Sequence, residues 1–252
     1  MMKIALLADI HGNSLALDAA LADIDAVGVD QYWILGDLVA LGPDPVGVLE
    51  RLSNIQNCCI IRGNTDRYVV TGDRPPPLAE NLGTEREAIR VFAEIAGTFA
   101  WTQGAMTAAG WLDWLSDVPL EFRTVLPDGT RCLCVHATPG ADDGPGIDKG
   151  LSDEEICGIL SGCEDDLICV GHNHQPINRT VGRWRIVNPG SISNPRFPIL
   201  EASYAILEAS KEGYSIEHRL AEYDREQIIR QLKALKHPGA NFIMNHMRGL
   251  HK

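Results

Sequence analysis

The sequence lacks an apolar run long enough to cross a membrane. A transmembrane helix needs about 18 or more consecutive apolar residues, and the 252-residue chain contains no such stretch. The short run from Ile4 to Ala8 is also too brief to be the core of a signal peptide with its flanks. We therefore interpret it as a first buried strand, and we expect a cytoplasmic protein with no membrane partner.

A cysteine spacing typical of a disulfide framework is absent as well. The seven cysteines are odd in number and form neither CxxC pairs nor the dense framework of a small secreted domain. Most of them lie in apolar runs, where a free cysteine behaves as a small buried hydrophobe. The pattern favours a reducing compartment and gives no cysteine a catalytic role. A chain of 252 residues buries enough core to fold without disulfides, and we interpret residues 1–252 as a single domain.

Basic residues are scarce relative to acidic ones, with 22 lysines and arginines against 34 aspartates and glutamates and a net charge of −12. A surface of that sign repels polyanions, and no extended basic stripe is present to bind DNA or RNA. The composition therefore argues against a duplex nucleic acid as partner. A small phosphorylated substrate is compatible with it, because bound metal ions would supply positive charge locally.

The first third of the chain alternates short apolar runs with amphipathic helical patterns. In chain order these are Ile4 to Ala8, Leu15 to Val27, Tyr32 to Leu35, Val46 to Leu52 and Cys58 to Ile61. This order is typical of a βαβαβ unit built on a largely parallel sheet. Asn13 or Ser14 is available as the N-cap of the first helix.

Two amphipathic helices are predicted between residues 71 and 118, the first with its apolar face at Ile89, Phe92, Ala96 and Phe99. We interpret this segment as a helical insertion that either shapes a substrate entrance or simply packs the core. From Leu120 onward most runs are strand-like and favour antiparallel hairpins, so the sheets are expected to be mixed. The C-terminal segment, residues 221–252, contains a helix from Arg225 to Leu235 and a tail without clear pattern.

Five short polar elements follow the strand-like runs: Asp9-Ile10-His11, Gly36-Asp37, Gly63-Asn64-Thr65-Asp66, His136, and Gly171-His172-Asn173-His174. Loops at the carboxyl ends of strands form the ligand sites of α/β sheets, so these side chains can converge although they are far apart in sequence. Taken singly, most of these elements are typical of turns or core contacts. As an ordered set they indicate one site.

The candidate ligands combine imidazole nitrogens with carboxylate and amide oxygens: Asp9, His11, Asp37, Asn64, His136, His172 and His174. Such a set suits manganese, iron, zinc, cobalt or nickel and disfavours an all-oxygen calcium site. A structural zinc needs only four ligands, whereas this number fits two divalent cations that share a carboxylate. Because a metal pair activates water against a phosphate ester, the sequence predicts a dinuclear phosphoesterase.

The motifs DIH, GD, GNTD, H and GHNH, in that order, resemble those of the calcineurin-like metallophosphoesterase superfamily, particularly its small bacterial and archaeal phosphodiesterase-like branch. Asn188-Pro189-Gly190-Ser191 matches a loop common in that branch, and the resemblance covers residues 3–219. It implies a four-layer α-β-β-α sandwich, an α+β fold with two mixed sheets and metals at the strand carboxyl ends. It also implies a division of the ligands: Asp9, His11 and His174 for one metal, Asn64, His136 and His172 for the other, and Asp37 as the bridge.

Thr65 departs from this resemblance. Many relatives carry a histidine at that position, which is thought to protonate or stabilise the leaving group. A threonine hydroxyl is a poor general acid at neutral pH, so the departure implies another leaving-group strategy, and the phosphodiesterase-like branch often lacks that histidine too. We expect catalytic roles for Asn64, which would position the phosphate, and for Asp66, which would orient a ligand.

Arg62 and Arg196 are candidates for binding the substrate phosphate, because a guanidinium fork matches phosphate geometry; ordinary surface salt bridges explain them as well. The expected activity is hydrolysis of phosphodiesters by a hydroxide that bridges the two metals. Two alternatives stay open on the sequence alone. One is a phosphomonoesterase, or a protein or nucleotide phosphatase, of the same fold, and the other is a non-catalytic scaffold that keeps the fold as a binding surface.

Overall fold

The computed structural model describes residues 1–76, 79–81, 83–196 and 198–250. Within these ranges ten strands form two five-stranded sheets. The strands are β1 (Met2–Leu7), β2 (Gln31–Leu35), β3 (Cys58–Ile61), β4 (Glu121–Val125), β5 (Arg131–Val135), β6 (Leu167–Cys169), β7 (Pro176–Val181), β8 (Trp184–Pro189), β9 (Ala202–Ser210) and β10 (Gly213–Ala221). The helices are α1 (Ser14–Val27), α2 (Pro45–Ser53), α3 (Asn64–Thr71), α4 (Arg86–Ala109), α5 (Leu112–Ser116), α6 (Asp153–Ile159), α7 (Arg225–Ala234) and α8 (Ala240–Met247), with a short 3-10 turn at Ala79–Asn81.

Both sheets are mixed, which confirms the fold class expected from the sequence. The first sheet has the order β10-β9-β1-β2-β3, in which β1, β2 and β3 run parallel and β9 and β10 are antiparallel neighbours. The second sheet has the order β4-β5-β6-β8-β7, with a parallel centre formed by β5, β6 and β8. The parallel strands of each sheet therefore lie next to one another, and their carboxyl ends share an edge.

The helices that connect the first three strands begin at side-chain caps. Asn13 caps α1 by accepting a hydrogen bond from the backbone N–H of Ala16, at 3.0 Å. Asp44 caps α2 in the same way by accepting from Gly47, also at 3.0 Å, and Pro45 supplies the fixed φ angle favoured at the first helical position. These caps fix where each loop ends and its helix begins.

The hydrophobic core is divided into layers by the two sheets. One cluster lies between the outer face of the first sheet and the apolar stripes of α1 and α2, including Leu17 and Leu49. A second lies between the sheets and buries Trp33 and the thiol of Cys134. A third lies between the second sheet and α6, with Ile156 at its centre. The protein is therefore a helix–sheet–sheet–helix sandwich.

The segment between residues 71 and 118 contains the two predicted helices, α4 and α5. The buried side of α4 is formed by Thr98, Phe99, Thr102 and Met106, whereas Ile89 is 45% exposed. The apolar face predicted from the sequence is therefore wrong at its N-terminal end, where the first half of the helix has no fully buried residue. The interpretation of the segment as an insertion stays a prediction.

The C-terminal segment contains one helix more than the sequence pattern indicated. Helix α7 was expected, but α8 falls in the part of the chain that showed no clear pattern. Ile228 and Leu232 of α7 pack against Ile243 and Met247 of α8. The two helices thus bury a small apolar cluster between them. No helix within the described residues is both long and apolar enough to span a bilayer.

Candidate metal centre

The sequence-predicted ligands follow the parallel strands of both sheets, in loops or, for Asn64, at the first residue of α3. In chain order, the strands and the ligands after them are β1 with Asp9 and His11, β2 with Asp37, β3 with Asn64, β5 with His136, and β6 with His172 and His174. The carboxyl ends of parallel strands are where α/β sheets bind ligands. Two sheets here contribute to one such edge, and the structure brings the predicted side chains together there.

Two glycines allow the loops to approach one another closely. Gly36 has a φ of +88°, and a Cβ on it would lie 2.6 Å from the backbone N of Gly63 and 2.7 Å from His136 Nδ1. A Cβ on Gly63 would lie 2.1 Å from Asp37 Oδ1. Contacts that short do not occur, so the glycines of the GD and GN motifs are needed for Asp37 and its neighbours to meet.

The ligand backbones adopt left-handed conformations. Positive φ angles occur at Asp9 (57°), His11 (47°), Asp37 (54°), His172 (68°) and His174 (56°). Such conformations are uncommon for residues other than glycine, and each costs on the order of 1–3 kcal/mol. Strain of this kind clusters at functional sites, where the surrounding fold enforces it. Its concentration on five predicted ligands points to a site selected for geometry at the expense of stability.

Four of the candidate ligands form a compact group. One ligand atom from each of Asp9, His11, Asp37 and His174 can be chosen so that all four lie within 4.8 Å of one another. His11 Nε2 is 3.2 Å from His174 Nε2 and 3.6 Å from Asp37 Oδ2. His174 Nε2 is 3.5 Å from Asp9 Oδ1. Nitrogen and oxygen lone pairs therefore converge on one small volume.

The other three candidate ligands adjoin this group. His136 Nε2 lies 3.4 Å from Asp37 Oδ2 and 3.9 Å from Asp9 Oδ1. His172 Nδ1 lies 3.1 Å from Asn64 Oδ1, and the backbone N–H of His172 donates to Asp9 Oδ1 at 3.1 Å. Asp37 therefore lies between His11 on one side and His136 on the other.

Backbone carbonyls orient three of the imidazoles. His136 Nδ1 donates to the carbonyl of Leu35 at 2.6 Å, and His174 Nδ1 donates to the carbonyl of Asn194 at 2.9 Å. His172 Nε2 donates to the carbonyl of Gly144 at 2.7 Å. In each ring the nitrogen bonded to the carbonyl carries a proton, and the other nitrogen faces the cluster. Metal-binding histidines are fixed in their tautomer in this way.

Burial dominates the ionisation of the cluster. It raises the pKa of Asp9, with a further rise from the neighbouring Asp37. It lowers the pKa of His11 and His174, so both imidazoles are neutral. Burial also disfavours the charge on Asp37, but the adjacent His136 outweighs it and holds the Asp37 pKa below its usual range. Burial likewise opposes protonation of His136, whose pKa the carboxylates nevertheless raise to about 10. Burial thus disfavours most charges in the cluster, whereas the opposite charges of Asp37 and His136 stabilise each other.

A divalent cation fits this set of donors. Asp9 is fully buried, and its Oδ2 has no hydrogen-bond partner anywhere in the described part of the chain. An unpartnered buried carboxylate oxygen is costly unless a ligand compensates it. Imidazole and carboxylate donors suit first-row transition metals. The orphaned oxygen, the oriented imidazoles and the two buried carboxylates together are the features that a metal would satisfy.

Thr65 and Asp66 hold the loop that carries Asp37. The backbone N–H of Thr65 donates to Asp37 Oδ1 at 2.9 Å. Asp66 Oδ1 accepts from the N–H groups of Leu38 and Val39, at 2.9 and 3.1 Å, and Oδ2 accepts from Gly63 at 2.9 Å. Burial, with a contribution from Asp37, raises the pKa of Asp66 to about 7. The carboxylate of Asp66 therefore binds backbone amides, which fits an orienting role.

The two arginines predicted to bind phosphate both make ion pairs. Arg62 Nε donates to Asp142 Oδ2 at 2.9 Å. Arg196 is half exposed, and its Nη1 lies 3.7 Å from Asp148 Oδ2. Both aspartates belong to the loop between β5 and α6. A role in phosphate binding stays a prediction for both arginines, and the ion pair of Arg62 is the shorter of the two.

The loop that follows β8 supports one side of the cluster, and its individual residues were not identified from the sequence. Ser191 Oγ donates to the backbone carbonyl of Asp9 at 2.9 Å and accepts from the N–H of Asn194 at 2.8 Å. The N–H of Ser193 donates to the same carbonyl of Asp9 at 3.1 Å. Since Asn194 also orients His174, this loop fixes two ligands at once. The Asn-Pro-Gly-Ser motif was the available signal, although it did not reveal these contacts.

Comparison with known proteins gives a consistent family relationship. The model of the calcineurin-like phosphoesterase superfamily domain matches residues 2–212. An uncharacterized protein of Methanocaldococcus jannaschii is 29% identical over 245 residues, which cover 91% of each chain. A hypothetical protein from Pyrococcus horikoshii has a solved structure that matches with a TM-score of 0.84 at 23% identity over 100% of both chains. A metallophosphoesterase from Sphaerobacter thermophilus matches with a TM-score of 0.75 at 22% identity over 99% of both chains.

Proposed function

The chain belongs to the calcineurin-like phosphoesterase superfamily, and on that basis we propose that it hydrolyses phosphodiesters with two divalent metal ions held by the cluster at the strand ends. The observation that carries the proposal is the set of three imidazoles that backbone carbonyls orient toward the cluster, His136 and His174 toward the buried carboxylates and His172 toward Asn64. A purely structural cluster would pair these nitrogens and oxygens with one another. Here Asp9 Oδ2 keeps an unused lone pair among the described residues.

The division of ligands follows the contacts around Asp37. His11, His174 and Asp9 form one side, whereas His136, His172 and Asn64 form the other. Two bound divalent cations would supply Lewis acidity, by which they activate a water molecule and neutralise charge on the phosphoryl oxygens. This assignment uses all seven candidate ligands.

The protein's own groups account for orientation and access. The carbonyls of Leu35, Gly144 and Asn194 each bind one ring nitrogen, so that the other nitrogen of each imidazole faces the cluster. The side chain of His174 is 20% exposed, whereas those of Asp9 and His136 are fully buried. A small phosphorylated substrate would therefore approach from the side of His174. Bulk water is excluded from the carboxylates beneath it.

The preference for diesters rests on Thr65. Its hydroxyl donates to the backbone carbonyl of Val39 at 3.3 Å, and its N–H donates to Asp37. Both groups are therefore engaged in holding the loop, and a hydroxyl has no accessible acidic pKa with which to protonate a leaving group. A good leaving group, such as the nitrophenolate of an activated diester, needs that proton least.

The test is the hydrolysis of bis(p-nitrophenyl) phosphate by protein that has been stripped of metal and reloaded with Mn²⁺. We expect metal-dependent turnover that falls by at least about 100-fold in kcat/KM in Asp37→Asn and in His136→Ala, since losing a metal ligand costs at least as much as losing an outer partner. Asp113→Asn is a matched control, because Asp113 is exposed on α5 and is not one of the candidate ligands.

Rates in both ligand variants equal to those of the wild type would refute the assignment of the site. Parallel assays with p-nitrophenyl phosphate separate the two hydrolase hypotheses, and a higher kcat/KM for that monoester would favour the phosphomonoesterase alternative. Less than one metal per chain after reconstitution, with no turnover of either ester, would favour the scaffold.

A further inference from the structure

We propose that Asp142 is a positioning residue for the half of the site formed by Asn64, His136 and His172. The inference rests on the proposed two-metal function and assigns a role within it. Asp142 was not singled out in the sequence, and it is almost fully buried, with 5% of its surface exposed. A buried carboxylate requires partners that stabilise its charge, and the partners of Asp142 connect the three segments that carry these ligands.

Asp142 binds the chain on both sides of Asn64. Its Oδ2 accepts from Arg62 Nε at 2.9 Å, and its Oδ1 accepts from Arg67 Nε at 3.0 Å. Arg62 lies at the end of β3 just before the Gly63-Asn64 turn, and Arg67 lies in the first turn of α3 just after it. One carboxylate therefore fixes the two ends of the turn from which the Asn64 side chain projects. Charge-assisted hydrogen bonds of this kind are stronger than neutral ones.

Asp142 also belongs to the loop that begins with His136 and that orients His172. Two residues further on, the carbonyl of Gly144 accepts from His172 Nε2 at 2.7 Å. A Cβ on Gly146 would lie 2.8 Å from His172 Cδ2, so the loop packs directly on the imidazole ring. Holding the loop against α3 therefore keeps the His172 proton on Nε2 and leaves Nδ1 facing Asn64.

The neighbouring residue Asp143 strengthens this connection at the surface. Asp143 Oδ2 accepts from Arg67 Nη2 at 2.9 Å and from the hydroxyl of Tyr68, and its Oδ1 accepts from the N–H of Gly144 at 2.7 Å. Its side chain is 43% exposed, whereas that of Asp142 is 6% exposed. Solvent competes for Asp143 more than for Asp142, so we assign the positioning role to the buried carboxylate.

The other half of the site has further supports that do not involve Asp142. Asp9 and His174 are fixed by Ser191 and Asn194 in the loop after β8. The hydrogen bonds and ion pairs of Asp142 are with Arg62 and Arg67. Loss of the Asp142 carboxylate should therefore weaken one metal site and spare the other, whereas a general loss of packing would weaken both.

The experiment is a Mn²⁺ titration of stripped protein, followed by calorimetry and by electron paramagnetic resonance, which separates a coupled metal pair from a single ion. For wild type we expect two ions per chain and the signal of a coupled pair. For Asp142→Asn we expect affinity for the second ion, the one at Asn64, His136 and His172, to fall about 10- to 100-fold. This is the range typical when an outer partner of a metal ligand is lost. Affinity for the first ion should change less than about twofold, and the single-ion signal should dominate.

Asp73→Asn is the matched control. Asp73 pairs with the same Arg67, at 3.3 Å, but its side chain is 60% exposed. It does not connect the Gly63-Asn64 turn to the loop between β5 and α6. We expect this variant to keep two ions and the coupled signal. Arg67→Gln removes one of the two arginine partners of Asp142, and we expect it to weaken binding of the second ion selectively. This second variant keeps the inference testable if Asp142→Asn does not fold.

Wild-type affinities for both ions in Asp142→Asn and Arg67→Gln would overturn the positioning role and leave the proposed function intact. An equal loss of both ions in a folded variant would also overturn it, because the effect would then be general. Fewer than two ions bound by the wild type would instead contradict the proposed function, and with it the inference.

Discussion

Individual residues at the strand ends show how closely the loops of the site are fitted together. Asp37 is contacted by an imidazole from each side of the cluster and by the N–H of Thr65. Its position depends on the missing side chain of Gly63, because a Cβ there would meet both the carboxylate and the backbone N of Asp37, at 2.1 and 2.4 Å. Neither atom can move away without displacing Asp37 from His11 and His136.

The substitution Gly63→Ala should therefore disrupt the site. We expect the free energy of unfolding to fall by about 1–3 kcal/mol, the usual cost of overpacking, and metal-dependent turnover to be lost. Urea denaturation and a metal titration on the same sample measure both effects.

The control is Gly104→Ala in the interior of α4, where an added Cβ would meet nothing within 4 Å. This change should raise the free energy of unfolding by about 0.5–1 kcal/mol, since alanine is the better helix former, and should leave turnover unchanged. Unaltered metal binding in Gly63→Ala would show that the fit around Asp37 is looser than the distances imply.

Among the secondary-structure elements, the strands were easier to predict than the helices. The bounds of β3 agree with the apolar run Cys58 to Ile61, and those of β2 differ from the run Tyr32 to Leu35 by one residue, because strands of a covered parallel sheet form continuous apolar runs. Helix α6 was not predicted, although Ser152 and Glu155 form a capping box at its start. That signal was present in the sequence and was overlooked.

The contacts between elements could not be predicted from the sequence pattern. Helix α8 is short, and its apolar residues matter only because α7 offers them a partner. The Asp142 connection similarly depends on a loop and a helix that are about 75 residues apart in the chain. Periodicity reports which face of an element is buried, but it does not report what lies opposite.

The C-terminal segment provides a pH-dependent test at this scale. His237, between α7 and α8, is buried against Trp101 of α4, with ring centroids 4.5 Å apart, and its Nδ1 accepts from the N–H of Gly239. Burial lowers the pKa of His237 from 6.5 to about 4. Between pH 6.5 and 4 the unfolded chain therefore binds a proton at His237 that the folded chain does not. The contribution of neutral His237 to stability is fully present above pH 6.5 and is lost as the pH falls toward 4.

Between pH 6.5 and 4 we expect the free energy of unfolding of the wild type to fall by up to about 3 kcal/mol relative to that of His237→Asn, since each pKa unit corresponds to about 1.4 kcal/mol. Asparagine keeps an acceptor near the Nδ1 position and does not titrate. Denaturant unfolding of both proteins at several pH values gives the difference. If the two stabilities run parallel across this range, His237 is not buried in its neutral form.

For the whole molecule, the two-sheet sandwich accounts for the site. The first sheet supplies Asp9, His11, Asp37 and Asn64, and the second supplies His136, His172 and His174. The inter-sheet core fixes the distance between these two sets of loops, so that neither sheet holds the ligand set alone. The order of the motifs along the chain was therefore enough to predict the fold class and the convergence of the ligands. It was not enough to predict the loops from Gly144 and Asn194 that orient them.

The most direct test of the central claim is a crystal structure of the Mn²⁺-loaded protein with an anomalous difference map collected at the manganese edge. Two metal ions held by this cluster should give two peaks about 3.5–4 Å apart, with the carboxylate of Asp37 between them and His174 and His172 on opposite sides. A single peak, or peaks away from these side chains in crystals grown at saturating Mn²⁺, would contradict the account.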